Sequence, residues 1–191
     1  MKSVGILAVQ GGYAVHADCL RACGATVRLV RTSEDLKSVD GLILPGGEST
    51  AQLRLINRFH LEDELDAFVA RGRPVLATCA GLILAAQTVS GPTQASFGWL
   101  DCDVRRNGWG RQVDSFEAVA DPSSTNGHLG EAPLPMMFIR APRITRIGAD
   151  VEVLARYQSE PVLVRQGPFW GATFHPELTV DQRIHRLAFG L

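Results

Sequence analysis

Residues 73–86 read "RPVLATCAGLILAA", and this stretch decides the fold. "PVLATC" is short, apolar and partly β-branched, and its leading proline cannot continue a preceding helix, so it reads as a buried strand. "AGLILAA" has the alanine and leucine content of a helix. Cys79 falls on the turn between them, where a side chain can stand clear of a sheet and the N–H groups of the following helix point back toward it. A cysteine in apolar company is also an ordinary small hydrophobe. Its position at a strand–helix turn is what favours chemistry over packing.

Upstream of this unit, strand and helix signals alternate with short connections. "SVGILAV" (3–9), "ATVRLV" (25–30) and "DGLILP" (40–45) read as strands. "YAVHADCLRAC" (13–23), stopped by Gly24, and "ESTAQLRLINRF" with "LEDELDAFVAR", stopped by Gly72, read as helices. Such alternation predicts a parallel sheet with helices on its faces. Downstream, "WLDCDVRR", "RQVDSFEAVA", "PMMFIRAP", "VEVLARY", "PVLVRQG" and "PFWGATFHPE" are strand-like runs between turn residues, several of them expected to pair antiparallel. "TVDQRIHRLAF" closes the chain as a helix with Thr179 and Gln182 spaced for a capping box. The expected class is α/β: a flavodoxin-like three-layer sandwich with a mixed, mainly parallel central sheet and additional antiparallel strands in the second half. At 191 residues and 46% apolar composition, one domain spanning 1–191 is expected.

The charge balance, 19 basic against 20 acidic residues, gives no pull toward nucleic acid or an anionic membrane. No apolar run approaches the roughly 20 residues of a membrane span, and the N-terminus does not read as an export signal, so a cytoplasmic protein with reduced thiols is expected. Cys19 and Cys23 could share a helical face, but no CxxC or HxxxH pair lies elsewhere to complete a four-ligand site. They read as packing thiols, and no metal is expected.

In a doubly wound sheet the ligand crevice lies beyond the carboxyl ends of the parallel strands. Three such ends stand out: "VQGG", "LPGGEST" and "TCAGL". Pro45-Gly46-Gly47 fixes one dihedral and frees two residues, so its backbone can turn N–H groups onto a ligand, although the same triplet also makes a plain turn. The best partner for Cys79 lies in "WGATFHPEL". His175 is read at the end of a strand, biased to extended backbone by Pro176, with Glu177 close enough to orient the imidazole. A thiol nucleophile needs a base, and the base needs a group to hold its tautomer. His16, His60, His128 and His185 read as exposed or locally satisfied.

In chain order, "PGGEST", "TCAGLI", "RNGWGRQ", "FIRAP" and "FHPEL" resemble the glutaminase subunits of pyridoxal 5′-phosphate synthases, a family of class I, triad-type glutamine amidotransferases. The resemblance covers essentially the whole chain. It implies that Cys79 attacks the side-chain carboxamide of L-glutamine, that His175 protonates the departing ammonia, and that Glu177 orients His175. Water then releases L-glutamate from a thioester. It further implies an oxyanion hole at Gly46, Gly47 and Ala80, and substrate contacts from Gly47, Glu48, Ser49, Arg106, Ile139 and Arg140. The implied protein partner is a synthase subunit that receives the ammonia, with no cofactor on this chain, no nucleic acid and no membrane. Because such a subunit should stay quiet without its partner, Gln10 and Gly11 are expected to form an activation switch. Three residues depart from the family pattern: Val15 in place of a glutamate, Trp109 in place of a phenylalanine, and Ala77 in place of a glycine. Two other readings remain open at this level: a stand-alone cysteine hydrolase of γ-glutamyl substrates, and a catalytically silent flavodoxin-like binding module.

Overall fold

A computed structural model describes residues 1–109, 115–121 and 129–191. Residues 111–114 of the "RQVDSFEAVA" run and His128 therefore lie outside the described residues. The first half follows the alternation of the sequence: β1 (Ser3–Leu7), α1 (Tyr13–Ala22), β2 (Thr26–Val30), α2 (Ser33–Lys37), β3 (Gly41–Leu44), α3 (Ser49–Arg58), α4 (Glu62–Ala70), β4 (Val75–Thr78) and α5 (Ala80–Ala85). Strands dominate the second half: β5 (Ala86–Ser90), β6 (Leu100–Arg105), β7 (Ser115–Val119), β8 (Pro135–Ile139), β9 (Arg143–Ile147), β10 (Glu152–Tyr157), β11 (Glu160–Gln166) and β12 (Phe169–Ala172). A 3₁₀ turn (Pro176–Leu178) and α6 (Arg183–Phe189) close the chain.

Seven strands form the central sheet in the order β10-β11-β12-β4-β3-β1-β2. From β2 to β12 all neighbours are parallel, and β11 and β10 extend the sheet antiparallel. The period of two along each strand sorts side chains to two apolar layers. Leu42, Leu44, Val75 and Ala77 enter one layer with Leu36, Ile56, Leu65 and Phe68 from α2, α3 and α4. Ile43 and Leu76 enter the other with Ala17, Leu20, Ile184 and Phe189 from α1 and α6. Helices thus cover both faces, as the three-layer expectation requires. A three-stranded sheet, β5-β6-β9, and the antiparallel pair β7-β8 stand apart from the central sheet.

Several local expectations are corrected. The reading of the sequence has no counterpart for α2, β5 or β9. α2 is only five residues long, although Thr32 and Asp35 form a capping box at its start. β5 runs directly out of α5 with no turn residue between them, and β9 has the polar, mostly open pattern of "RITRI". The final helix has no Thr179–Gln182 box: Gln182 caps it without a side-chain bond. The Thr179 hydroxyl instead donates to Pro176 O at 3.0 Å, because the chain first makes the 3₁₀ turn. His175 lies three residues beyond β12 rather than at its end.

Candidate active site

β4 delivers Cys79 to the crevice. The strand ends at Thr78, the Cys79 N–H donates to Ala172 O at 2.9 Å, and Cys79 takes φ 47° and ψ −102° before α5 begins. That backbone is strained for a side chain with a Cβ, and it persists only because the sheet on one side and α5 on the other fix both ends. α5 can begin so close to β3 because residue 81 is glycine: a Cβ there would stand 2.1 Å from Leu44 O.

The neighbouring strand supplies the histidine. β12 pairs parallel with β4 and sets Ala172 level with Thr78, so the chain leaving β12 passes beside Cys79. The His175 N–H donates to Met137 O at 2.8 Å, which anchors the loop to β8. His175 Nδ1 lies 2.7 Å from Glu177 Oε1, and both residues are buried. The ring has room only because residue 46 is glycine, whose Cβ would fall 2.3 Å from His175 Cε1.

Electrostatics follow from this packing. Burial by itself would push His175 down, but hydrogen bonding and charge from Cys79 and Glu177 outweigh it and lift the imidazole to about 10. Burial would likewise raise Glu177, yet His16 and His175 outweigh it and hold the carboxyl at about 2. The carboxylate stays ionised and the imidazole holds its proton at neutral pH.

Cys79 and His175 line a cavity of about 220 Å³. Its walls include Gly47, Glu48, Ser49, Arg106, Ile139 and Arg140, so all six residues assigned to substrate contact meet in one place. Arg106 and Glu48 form an ion pair at 3.2 Å, while Ser49 is buried and donates to Gln94 Oε1 at 2.9 Å. Ile83 and Asn107 complete the lining and are absent from the sequence-based set. Cys79, Asn107 and Arg140 all carry positive φ, a concentration of backbone strain around one cavity. A larger groove of about 400 Å³ beside Met136 and Leu178 lacks the thiol and the imidazole.

Gln10 also reaches this cavity. Its side-chain Oε1 accepts the Glu48 N–H at 2.9 Å, its backbone O accepts from Gln52 Nε2 at 3.0 Å, and the Gly12 N–H donates to Gly46 O at 2.9 Å. Gly11, at φ 102°, lies so close that a Cβ on it would fall 2.0 Å from Gly46 O. The turn after β1 therefore clamps the Gly46-Gly47 turn.

Two expectations about histidine are corrected. His16 and His185 are fully buried with long-range partners, not exposed or locally satisfied. The signal for His16 was its place on the face of α1 that also buries Ala17 and Leu20. Among the departures, Trp109 packs against Phe138 and Tyr157 beneath the Arg143 guanidinium, Val15 is exposed and Ala77 is fully buried. Among the described residues no cluster of His, Cys, Asp and Glu could hold a metal ion, and no helix is long and apolar enough to cross a membrane. Burial pushes the Cys19 thiol up to about 11.

A thiol at a strand–helix turn of a parallel sheet, facing a histidine–carboxylate pair from the next strand, places the protein in the class of α/β cysteine hydrolases and amidotransferases. The SNO glutamine amidotransferase family model matches residues 6–189, and the chain belongs to that family. It is 46% identical to the pyridoxal 5′-phosphate synthase subunit PdxT of Bacillus licheniformis over 98% of this chain and 93% of that one. Against the PdxT subunit of Frankia casuarinae the identity is 50%, over 96% of this chain and 92% of that one. A crystal structure of a glutamine amidotransferase superposes with a TM-score of 0.88 at 43% identity, covering 98% of this chain and 99% of that one. PurLQS from Thermotoga maritima matches in fold, with a TM-score of 0.72 at 18% identity over 100% and 99% of the two chains.

Proposed function

We propose that this chain is the glutaminase subunit of a pyridoxal 5′-phosphate synthase: it hydrolyses L-glutamine to L-glutamate and ammonia and passes the ammonia to a synthase subunit. The observation that carries the chemistry is that Cys79 and His175 line one cavity while His175 is backed by Glu177 at 2.7 Å. Family membership and the PdxT relatives support the substrate and the partner.

With the thiol proton carried by His175, Cys79 Sγ forms a bond to the side-chain carboxamide carbon as the π electrons move onto oxygen. The oxyanion is met by backbone N–H groups at Gly46, Gly47 and Ala80. His175 gives its proton to the amide nitrogen, the C–N bond breaks and ammonia leaves a γ-glutamyl thioester. Water adds to the thioester while His175 takes its proton, the C–S bond breaks, and glutamate is released with the Cys79 thiolate and protonated His175 restored. Glu177 holds the imidazole in the tautomer that both steps need. At the other end of the substrate, Glu48 meets the ammonium, and Arg106 with Arg140 meets the carboxylate. Ser49 and Ile139 shape the walls. These steps draw only on side chains, backbone donors and water. The reading treats residues 1–191 as one working domain and places it in the cytoplasm, in keeping with four free cysteines of which one has to stay a thiol.

The test is ammonia release from glutamine, measured with and without the synthase subunit, for the parent and for Cys79→Ala. The expected result is synthase-stimulated turnover in the parent, with a loss on the order of a million-fold in Cys79→Ala and an intact fold. Turnover that persists in Cys79→Ala overturns the nucleophile. Full activity without any partner favours a stand-alone hydrolase instead.

A further inference from the structure

The carboxylate that orients His175 is itself held by groups the reaction scheme does not use. Glu177 sends Oε1 to His175, while its buried Oε2 has no hydrogen-bond partner of good geometry among the described residues. His16 Nε2 lies 3.3 Å from it and 3.2 Å from Thr78 Oγ1. His16 Nδ1 in turn lies 3.0 Å from His185 Nε2. His16 comes from α1, Thr78 from the last position of β4, Glu177 from the 3₁₀ turn and His185 from α6. The two histidines and Thr78 are fully buried and Glu177 is nearly so, within a layer whose other members are apolar. Burying so many polar groups costs several kcal/mol unless they satisfy one another.

Their contacts select one arrangement of protons. If His16 carried its proton on Nδ1, the lone pair of Nε2 would face an ionised carboxylate and His185 would bury an unpaired N–H. If His16 carries it on Nε2, that N–H faces Glu177 and Thr78, Nδ1 accepts from His185 Nε2, and the partnerless atom is the bare Nδ1 of His185. The second arrangement strands no histidine N–H. Burial pushes His16 down, against the pull of the Glu177 carboxylate, and pushes His185 down to about 3.

We infer that His16, fixed in its tautomer by His185, is a positioning residue for glutamine hydrolysis: its Nε2–H steadies the second oxygen of Glu177 and so fixes the carboxylate that orients His175. The inference rests on the roles proposed for Cys79, His175 and Glu177. The array runs from the last helix through the first helix to the site, so α1 and α6 bear on the chemistry as well as on the core. Other titratable groups facing Glu177 are His175 from its own turn and Cys19 from α1, whose Sγ donates to Glu177 O at 3.5 Å.

The experiment is steady-state ammonia release from glutamine by the chain saturated with its synthase subunit, across neutral and alkaline pH, for the parent, His16→Leu, His16→Gln and Cys79→Ala. Leucine keeps volume without a donor, whereas a glutamine amide places an N–H near the position of Nε2. His16→Leu is expected to lower kcat roughly 10- to 100-fold, the range typical of groups that orient a reacting residue from behind, with KM within about 2-fold. The alkaline limb of kcat, which follows loss of the His175 proton, moves to lower pH. His16→Gln recovers most of the rate. Parental kcat and pH profile in folded His16→Leu overturn the inference, and so does His16→Gln as impaired as His16→Leu. If His16→Leu does not fold, His185→Leu decides: a smaller kcat loss with the same shift of the alkaline limb supports the inference, and parental kinetics overturn it. Cys79→Ala separates the two levels, since turnover in that variant removes the triad reading whatever His16 does.

Discussion

The two sides of the site are built differently. Cys79 is placed by backbone: β4 leads into it, α5 leads away, its N–H is bonded to Ala172 O, and its dihedrals are fixed between two regular elements. His175 is placed by side chains and loops: it lies three residues past β12, anchored through its N–H to Met137 and through its ring to Glu177, which in turn faces His16. A residue held by backbone moves only if the sheet moves. A residue held by a chain of side-chain contacts can lose its alignment while the fold stays intact. Damage to what holds the nucleophile should therefore register as lost stability, and damage to what holds the histidine as lost rate.

After removal of the thiol itself, the largest expected effects test the histidine side directly. His175→Asn removes the proton carrier and is expected to cost about 10⁵-fold in turnover, whereas Glu177→Gln removes only the orienting charge and is expected to cost about 10³-fold. Neither substitution should lower the unfolding temperature by more than a few degrees. Glutaminase rates with saturating synthase, alongside thermal melts, check both. A near-parental rate in His175→Asn would break the assignment, while equal losses in the two variants would mean that the pair acts as one unit.

Two glycines sharpen the contrast at smaller amplitude. A methyl at residue 46 would meet the His175 ring at 2.3 Å, and the ring can swing away. A methyl at residue 81 would meet Leu44 O at 2.1 Å, and a strand carbonyl cannot. Gly46→Ala should keep the parental melting temperature and lose on the order of 100-fold in rate, as expected when a reacting group is displaced by about an ångström. Gly81→Ala should lose about 1–3 kcal/mol of stability through overpacking. Denaturant unfolding and ammonia release on both variants read the two effects separately. The reverse pattern would show that the backbone and side-chain supports had been assigned to the wrong partners.

The same contrast explains what was legible in the sequence. The alternation that predicts the parallel half is local, and so is the strand–turn–helix signature that puts Cys79 on an elbow. The two apolar layers follow from side-chain alternation at Leu42-Ile43-Leu44 and Val75-Leu76-Ala77. His175 and Glu177 could be singled out by residue type and spacing, but their distance from Cys79 depends on the β12–β4 register, which is a tertiary fact. His16 was misread because its partner His185 lies 169 positions away on another helix. β9 was missed because its alternation carries arginines, and β5 because nothing in "LAAQTVS" marks the helix-to-strand change. The substrate-contact residues came from resemblance, since no local rule links Arg106 to Glu48 across 58 positions.

The smallest expected effect concerns the turn after β1, which belongs to neither side and touches both. Gln10 accepts the Glu48 N–H through its side chain, and Gly12 bonds the carbonyl of Gly46, whose peptide group carries the Gly47 N–H assigned to the oxyanion. A trans peptide holds its C=O and N–H in opposite directions, so fixing the Gly46 carbonyl also fixes where the Gly47 N–H points. Reorienting that donor requires the Gly12 contact to break, and glycine at 11, 46 and 47 keeps the barrier to such a flip low. A synthase subunit that binds at this edge could thus set the oxyanion site without moving Cys79 or His175. Gln10→Ala removes one anchor of the clamp. It is expected to lower synthase-stimulated turnover about 10-fold, roughly the worth of one or two hydrogen bonds, while changing unfolding free energy by less than about 1 kcal/mol. Rates for the parent and Gln10→Ala, each alone and with saturating synthase, decide the matter. If the parent turns over glutamine equally well alone, or if Gln10→Ala responds to the synthase as the parent does, the turn gates nothing and the contrast between backbone and side-chain placement stands without it.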